Sequence, residues 1–208
     1  MSNENVMQVD LAKQALGPIS GNRWFQLAAG VLAMIVISNF QYAFTLFTPG
    51  LKAQFTGAPY SDIALIFSLF ILFETWPVPV AGYFIDKFGI RNLMLVGAVL
   101  ISLGWIGGGM FATSLFHLYI AYGVLAGTGC GIIYIATVTN AVKWFPDKRG
   151  LAAGLTAAGF GGGLALTLIP ISHSISSMGW ACAMTWWRIG IGVIAVGGQL
   201  ILSLSAQA

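Results

Sequence analysis

The sequence predicts an all-α membrane protein, a bundle of six transmembrane helices. Three observations lead there. Hydrophobic residues fill 58% of the 208 positions and charged residues only 7%, with a mean hydropathy of +0.87. A soluble domain carries about a quarter charged residues, so this chain cannot cover a water-facing surface. The apolar residues fall in six long runs and do not alternate over ~10 residues as barrel strands do. Helices satisfy their backbone within each run, which hydrocarbon demands.

The elements follow in order. Residues 1–22 form a polar tail, expected on the cytoplasmic side, with no apolar core and small-residue cleavage site of a signal peptide. The rest, 23–208, is expected to be one bundle. Its helices run over about 24–47, 63–84, 93–111, 118–142, 151–171 and 183–204, each near the ~20 residues that cross a bilayer. Lys13, Arg23, Lys87, Arg91, Lys143, Lys148 and Arg149 lie before the first helix or in the 2–3 and 4–5 loops, and Lys52 lies on the other side. Basic residues stay inside, which places both termini in the cytoplasm and the chain in the plasma (inner) membrane as a multi-pass protein. Arg188 lies within the last run and fits neither side. Trp24, Trp144 and Trp180 sit near helix ends as interfacial anchors do. The net charge of +3 follows from the loop bias and gives no reason to expect a nucleic-acid partner.

Little in the chain suggests catalysis. Cys130 and Cys182 lack metal-ligand spacing, and His117 and His173 are far apart at the expected outer helix ends. No nucleophile–base pair, metal cluster or cofactor motif is present, so neither an enzyme nor a bound cofactor is expected. The glycines of helices four and five follow no strand and lie at membrane depth, which excludes a nucleotide loop. Gly123, Gly127 and Gly131, and Gly150 and Gly154, make small-xxx-small steps that let helices approach closely.

Three groups of residues carry the functional reading. Ser38, Gln41, Tyr42 and Thr45 fall at i, i+3, i+4 and i+7 of the first helix and form a polar stripe, which serves either as interhelical glue or as the lining of a substrate path. Glu74, about 18 Å along the helix from Asp86, is the only acidic residue inside an apolar run. A carboxylate there costs several kcal/mol unless paired, hydrated or protonated. Glu74 is therefore either a proton or charge site or a structural acid with a polar neighbour. Pro77 and Pro79 bend the helix just after it. The third group is the loop Gly82-Tyr-Phe-Ile-Asp86-Lys87-Phe-Gly89-Ile-Arg91, whose glycines allow close approach and a tight turn and whose Asp86 can pair with Arg91.

That loop resembles the signature between the second and third helices of the major facilitator superfamily, Gly-x-x-x-Asp-(Arg/Lys)-x-Gly-x-(Arg/Lys). The run Lys143-Trp-Phe-Pro146-Asp147-Lys148-Arg149-Gly150, with Gly21-Asn22-Arg23-Trp24-Phe25 and Gln41-Tyr42-Ala-Phe-Thr45-Leu, resembles the oxalate/formate antiporter family, related to monocarboxylate transporters. The likeness runs from about Gly21 to Pro170. It implies that Gly82, Asp86, Lys87, Gly89 and Arg91 latch two helix bundles in one access state, and that Gln41, Tyr42 and Tyr134 line an anion site. The family's cationic anchors come from a second six-helix half. The resemblance thus implies secondary transport of a small organic anion, formate/oxalate-like or another monocarboxylate, by alternating access. This chain would supply one half, with a second half or a second copy as its partner in the lipid bilayer. The alternative is a non-transporting remnant or a partner bundle of a membrane complex.

Overall fold

A computed structural model describes residues 23–110 and 114–179. Its helices are α1 (Arg23–Tyr42), α2 (Phe44–Gln54), α3 (Tyr60–Thr75), α4 (Val78–Met110), α5 (Leu115–Leu118), a π-helical stretch (Tyr119–Ala126), α6 (Gly127–Trp144) and α7 (Arg149–Met178). Four helical stretches among the described residues are long and apolar enough to cross a membrane: Arg23–Gln54, Tyr60–Val80, Leu115–Trp144 and Arg149–Met178. The expected run 183–204 lies outside the described residues, with Trp180, Cys182 and Arg188, as do the tail 1–22 and Lys13.

Prolines lie near two of the interruptions. Proline at 49 has no N–H for the carbonyl of Thr45, and the rod steps at Ala43, where the Leu46 N–H reaches the Ala43 carbonyl at 3.0 Å in a tighter i→i−3 bond. The rod runs on to Gln54, beyond the expected end near 47, and the Lys52 ammonium donates to the Ala58 carbonyl across the turn that follows. α3 stops at Thr75 because Pro77 and Pro79 cannot donate to the carbonyls of Phe73 and Thr75.

α4 contains the sharpest feature. Its backbone is helical on both sides of Gly89, which alone adopts φ 80°, ψ 156°. No residue with a Cβ takes that conformation without strain. The chain reverses there, and the 2–3 connection is a one-residue corner with no extended loop. The second arm, 90–110, is apolar beyond Arg91 and runs back along α6.

Packing directions show the reversals. Gly123, Gly127 and Gly131 meet Leu69, Phe70 and Glu74 in turn, so α3 runs parallel to the fourth pass. Gly97 meets Ile133 and Gly104 meets Ala121 and Ala126, so the second arm of α4 runs antiparallel to it. The Tyr122 hydroxyl donates to the Phe40 carbonyl while Trp24 packs on Phe145, so α1 is antiparallel to α6. Gly159 meets Val31 and Gly163 meets Ile35, so α7 parallels α1. The described residues therefore make five helical rods that alternate in direction around α6, of which the second arm of α4 is not among the four long apolar stretches. The main core gathers Met34, Ile37, Phe40, Phe70, Tyr122, Cys130, Ile133 and Phe160.

Close glycine contacts hold α3 on the π-helical stretch and α6. A Cβ added at Gly127 would lie 2.6 Å from the Phe70 carbonyl oxygen, and one at Gly123 would lie 2.8 Å from Leu69 Cβ. In hydrocarbon, helix association rests on such van der Waals fit and not on water exclusion. The steps at Gly150 and Gly154 differ from expectation, because an added Cβ at either meets nothing within 4 Å. Their side of α7 is open where Gly159 and Gly163 grip α1.

Candidate substrate site

α1, α6 and α7 meet around Phe160, the one large residue in the run Gly159-Phe160-Gly161-Gly162-Gly163. The Tyr42 ring lies 5.7 Å from the Phe160 ring and the Tyr134 ring 5.2 Å from it, both edge-on. Counting along the helices sets these tyrosines at different depths, ~28 Å from the end of α1 and ~15 Å from the end of α6. Those ends are level, because Trp24 and Phe145 meet edge to face at 5.1 Å and the Arg23 guanidinium reaches both Asp147 oxygens at 3.3 Å. Side-chain direction closes the gap. Side chains lean toward the N-terminus of their own helix. α1 and α6 are antiparallel, so Tyr42 and Tyr134 lean toward one another and converge on Phe160.

The expected polar stripe on the first helix does not stay together. Ser38 is fully buried and donates to the Ile35 carbonyl at 2.8 Å, facing Gly163. Thr45, past the step at Ala43, is exposed and donates to the Tyr42 carbonyl at 3.3 Å. Gln41 is partly buried beside Tyr42 and stands outside the ring cluster.

Glu74 points into the bundle. It is 9% exposed, and Cys130 Sγ donates to its Oε1 at 3.3 Å. The same sulfur lies 3.9 Å from the Ile37 carbonyl oxygen. Cys130 is one turn before Tyr134 on the same face of α6, which sets Glu74 about 6 Å in depth from the tyrosine. A Cβ added at Gly131 would collide with the Glu74 carbonyl oxygen, so backbone closeness keeps the acid at the α3–α6 contact. Trp76, two residues on, is 75% exposed and faces outward.

The 2–3 corner lies at the same end as Arg23 and Asp147, because Ile85 and Met94, on either side of it, pack on Ala33 and Ala136. Asp86 and Lys87 are exposed, and Arg91 is partly buried. The Lys87 ammonium sits 5.5 Å from the Phe88 ring and 6.0 Å from that of Tyr83, a cation–π arrangement. Asn92 donates across the corner to the Phe88 carbonyl at 3.0 Å. Gly82 differs from expectation: an added Cβ meets nothing within 4 Å, so it supports no close approach inside this bundle.

Three features were missed in the sequence. Phe160 was hidden among glycines, although a lone large residue in such a run is a signal. Cys130 had no marker of its own, and its role comes from Glu74, 56 positions away. The Asn39 carboxamide oxygen accepts from the Thr167 hydroxyl and ties α1 to α7. Among the described residues, no three His, Cys, Asp or Glu side chains gather as metal ligands.

The family model of the major facilitator superfamily matches residues 27–205, most of the chain. The chain belongs to the major facilitator superfamily. Within it, the oxalate:formate antiporter of Oxalobacter formigenes is 38% identical over 187 residues, covering 90% of this chain and 44% of that protein. The uncharacterized MFS-type transporter YhjX of Escherichia coli (strain K12) is 28% identical over 191 residues, 89% of this chain and 46% of that protein. Monocarboxylate transporter 3 of Rattus norvegicus is 34% identical over 151 residues, 71% of this chain and 30% of that protein. The chain thus spans less than half the length of these relatives. Superfamily membership and the apolar spans make it an integral membrane protein of a transporter family, whose members are carriers and not enzymes.

Proposed function

We propose that this chain supplies the first six-helix half of a secondary transporter for a small organic anion, a monocarboxylate or formate/oxalate-like acid, working by alternating access. The convergence of Tyr42 and Tyr134 on Phe160 carries the reading. With both rings against Phe160, their phenol hydroxyls would share one wall, and such groups donate to carboxylate oxygens without adding charge. The Gln41 amide, at the neighbouring position, is a further donor. The printed names of the oxalate:formate antiporter and of monocarboxylate transporter 3 support the same substrate class.

Glu74, one turn away, tunes the charge of this wall or carries a proton. Ionised, it disfavours a dianion more than a monoanion, which favours formate over oxalate. The corner Gly82, Asp86, Lys87, Gly89 and Arg91 biases which side is open by contact with a second half. The orientation has both termini in the cytoplasm of the inner membrane, following the basic residues at the Arg23–Asp147 end. A half transporter has one wall of a cavity, and its partner is a second six-helix half or a second copy.

The test is counterflow in liposomes. This chain alone, loaded with formate or oxalate, is expected to give no exchange above empty vesicles. Co-reconstituted with the remaining half of the oxalate:formate antiporter, it is expected to give saturable exchange that falls about tenfold in Tyr134→Phe, the worth of one hydrogen bond to a charged group. Glu74→Gln is expected to flatten the pH dependence of that exchange while leaving insertion intact. Exchange by the chain alone would overturn the half-transporter reading. A co-purifying pair that moves no carboxylate would overturn the substrate class.

A further inference from the structure

We propose that Cys130 is a positioning residue that couples the charge of Glu74 to α1, by shifting one thiol hydrogen bond between the Glu74 carboxylate and the Ile37 carbonyl. The proposal rests on the reading of Glu74 as a titrating group. Its basis is geometric. One sulfur, fully buried, lies 3.3 Å from Glu74 Oε1 on α3 and 3.9 Å from the Ile37 oxygen on α1. A thiol has one proton and so serves one acceptor at a time.

The two states differ in donor direction. With Glu74 ionised, the S–H donates to the carboxylate, the stronger acceptor. When Glu74 takes a proton from solvent, its own O–H becomes a donor and the sulfur can accept it. The S–H is then released toward Ile37. The thiol proton stays on sulfur throughout, and no bond to sulfur breaks. The Ile37 carbonyl is the one that receives the Gln41 N–H in an α-helix. A second donor there weakens that bond, one residue from Tyr42.

The surroundings leave this choice to Glu74. The π-helical stretch contributes Tyr122, whose hydroxyl is committed to the Phe40 carbonyl. α6 contributes Cys130 itself, and α1 faces the pair with the Ile37 carbonyl. The charged residues Arg23 of α1 and Lys143 of α6 lie ~20 Å away along their helices.

The residue type matters. Hydroxyls in these helices turn back on their own backbone: Ser68 donates to Ala64, Thr75 to Ile71, Ser102 to Ala98 and Thr156 to Ala152. A serine at 130 has the Ala126 carbonyl within the same reach. Cysteine, a weaker donor with longer bonds, spans instead to the neighbouring helices.

Infrared difference spectra of the purified chain in nanodiscs, titrated with pH, test this without any transport assay. Subtraction of a Cys130→Ala spectrum isolates the Cys130 S–H stretch. That band is expected to shift in step with the appearance of the protonated Glu74 carboxyl band and to stop responding to pH in Glu74→Gln. Cys130→Ala is expected to displace the Glu74 titration by about three- to tenfold in proton concentration, and Cys130→Ser to leave it displaced. A Glu74 band that titrates while the S–H band stays fixed overturns the coupling and leaves Glu74 as a proton site. A Glu74 band that does not titrate at all overturns both.

Discussion

Gly89 and Gly82 occupy the same charged motif and respond oppositely to a methyl group. At φ 80°, ψ 156°, Gly89→Ala meets backbone strain of about 1–3 kcal/mol and is expected to lower the melting temperature of the purified chain by several degrees. Gly82→Ala has open space and improves helix propensity by about 1 kcal/mol, so its melting temperature is expected to hold or rise. Thermal unfolding of the two variants in detergent checks the contrast, and equal losses would contradict it. The turn at Gly89 was legible, because glycine between charged residues flanked by apolar runs has few other uses. The meeting of Tyr42 and Tyr134 was not. Counting residues locates Cα atoms, while the rings lean in opposite directions along antiparallel helices and meet on Phe160, whose place depends on α7.

At the level of helices, small-residue spacing announced close packing without naming the partner. Gly123, Gly127 and Gly131 lie against α3, whereas Gly150 and Gly154, at the same spacing, face nothing within 4 Å. Gly131→Ala is therefore expected to cost about 1–3 kcal/mol by overpacking and to push α3 away at Glu74, while Gly154→Ala leaves stability unchanged. Denaturation of both variants measures the difference. The break after Thr75 was legible from Pro77 and Pro79. The step at Ala43 and the π-helical stretch Tyr119–Ala126 were not, because no residue at either point forbids a regular helix. Both are matters of how neighbouring helices crowd one another. The motifs around Arg23 and Asp147 read as separate signatures, yet the two residues form one ion pair at 3.3 Å over the buried Phe145. Being nearly half exposed, that pair is worth about 0–1 kcal/mol. Asp147→Asn is expected to be mild beside Phe145→Ala, which removes a fully buried ring and costs about 3–5 kcal/mol.

For the whole molecule, composition alone disclosed the membrane class, because so few charges cannot solvate a surface. Alternating direction was legible from the side on which the basic loops fall, whereas which passes touch required contacts between helices, which no run of apolar residues contains. The sidedness proposed from the basic residues has a direct test. In a cysteine-free background, Lys87→Cys and Lys148→Cys are expected to react with an impermeant thiol reagent from the cytoplasmic face, and Lys52→Cys from the opposite face. Reaction of positions 52 and 148 from one face would contradict the alternation seen between the level ends of α1 and α6 and the turn after Gln54.

The one-residue corner at Gly89 also bears on how the chain tolerates change in length. Helix continues to Phe88 and resumes at Ile90, and Asn92 bridges the corner. There is no spare residue to absorb an insertion. One added residue would rotate the whole second arm by ~100° about its axis, turning the face of Met94, Gly97 and Ala98 that meets α6 toward lipid. The turn between Gln54 and Tyr60 has several residues outside any helix and faces no such constraint. An epitope tag inserted there is expected to be carried, whereas the same tag at Gly89 is expected to send the chain to the cell's proteases.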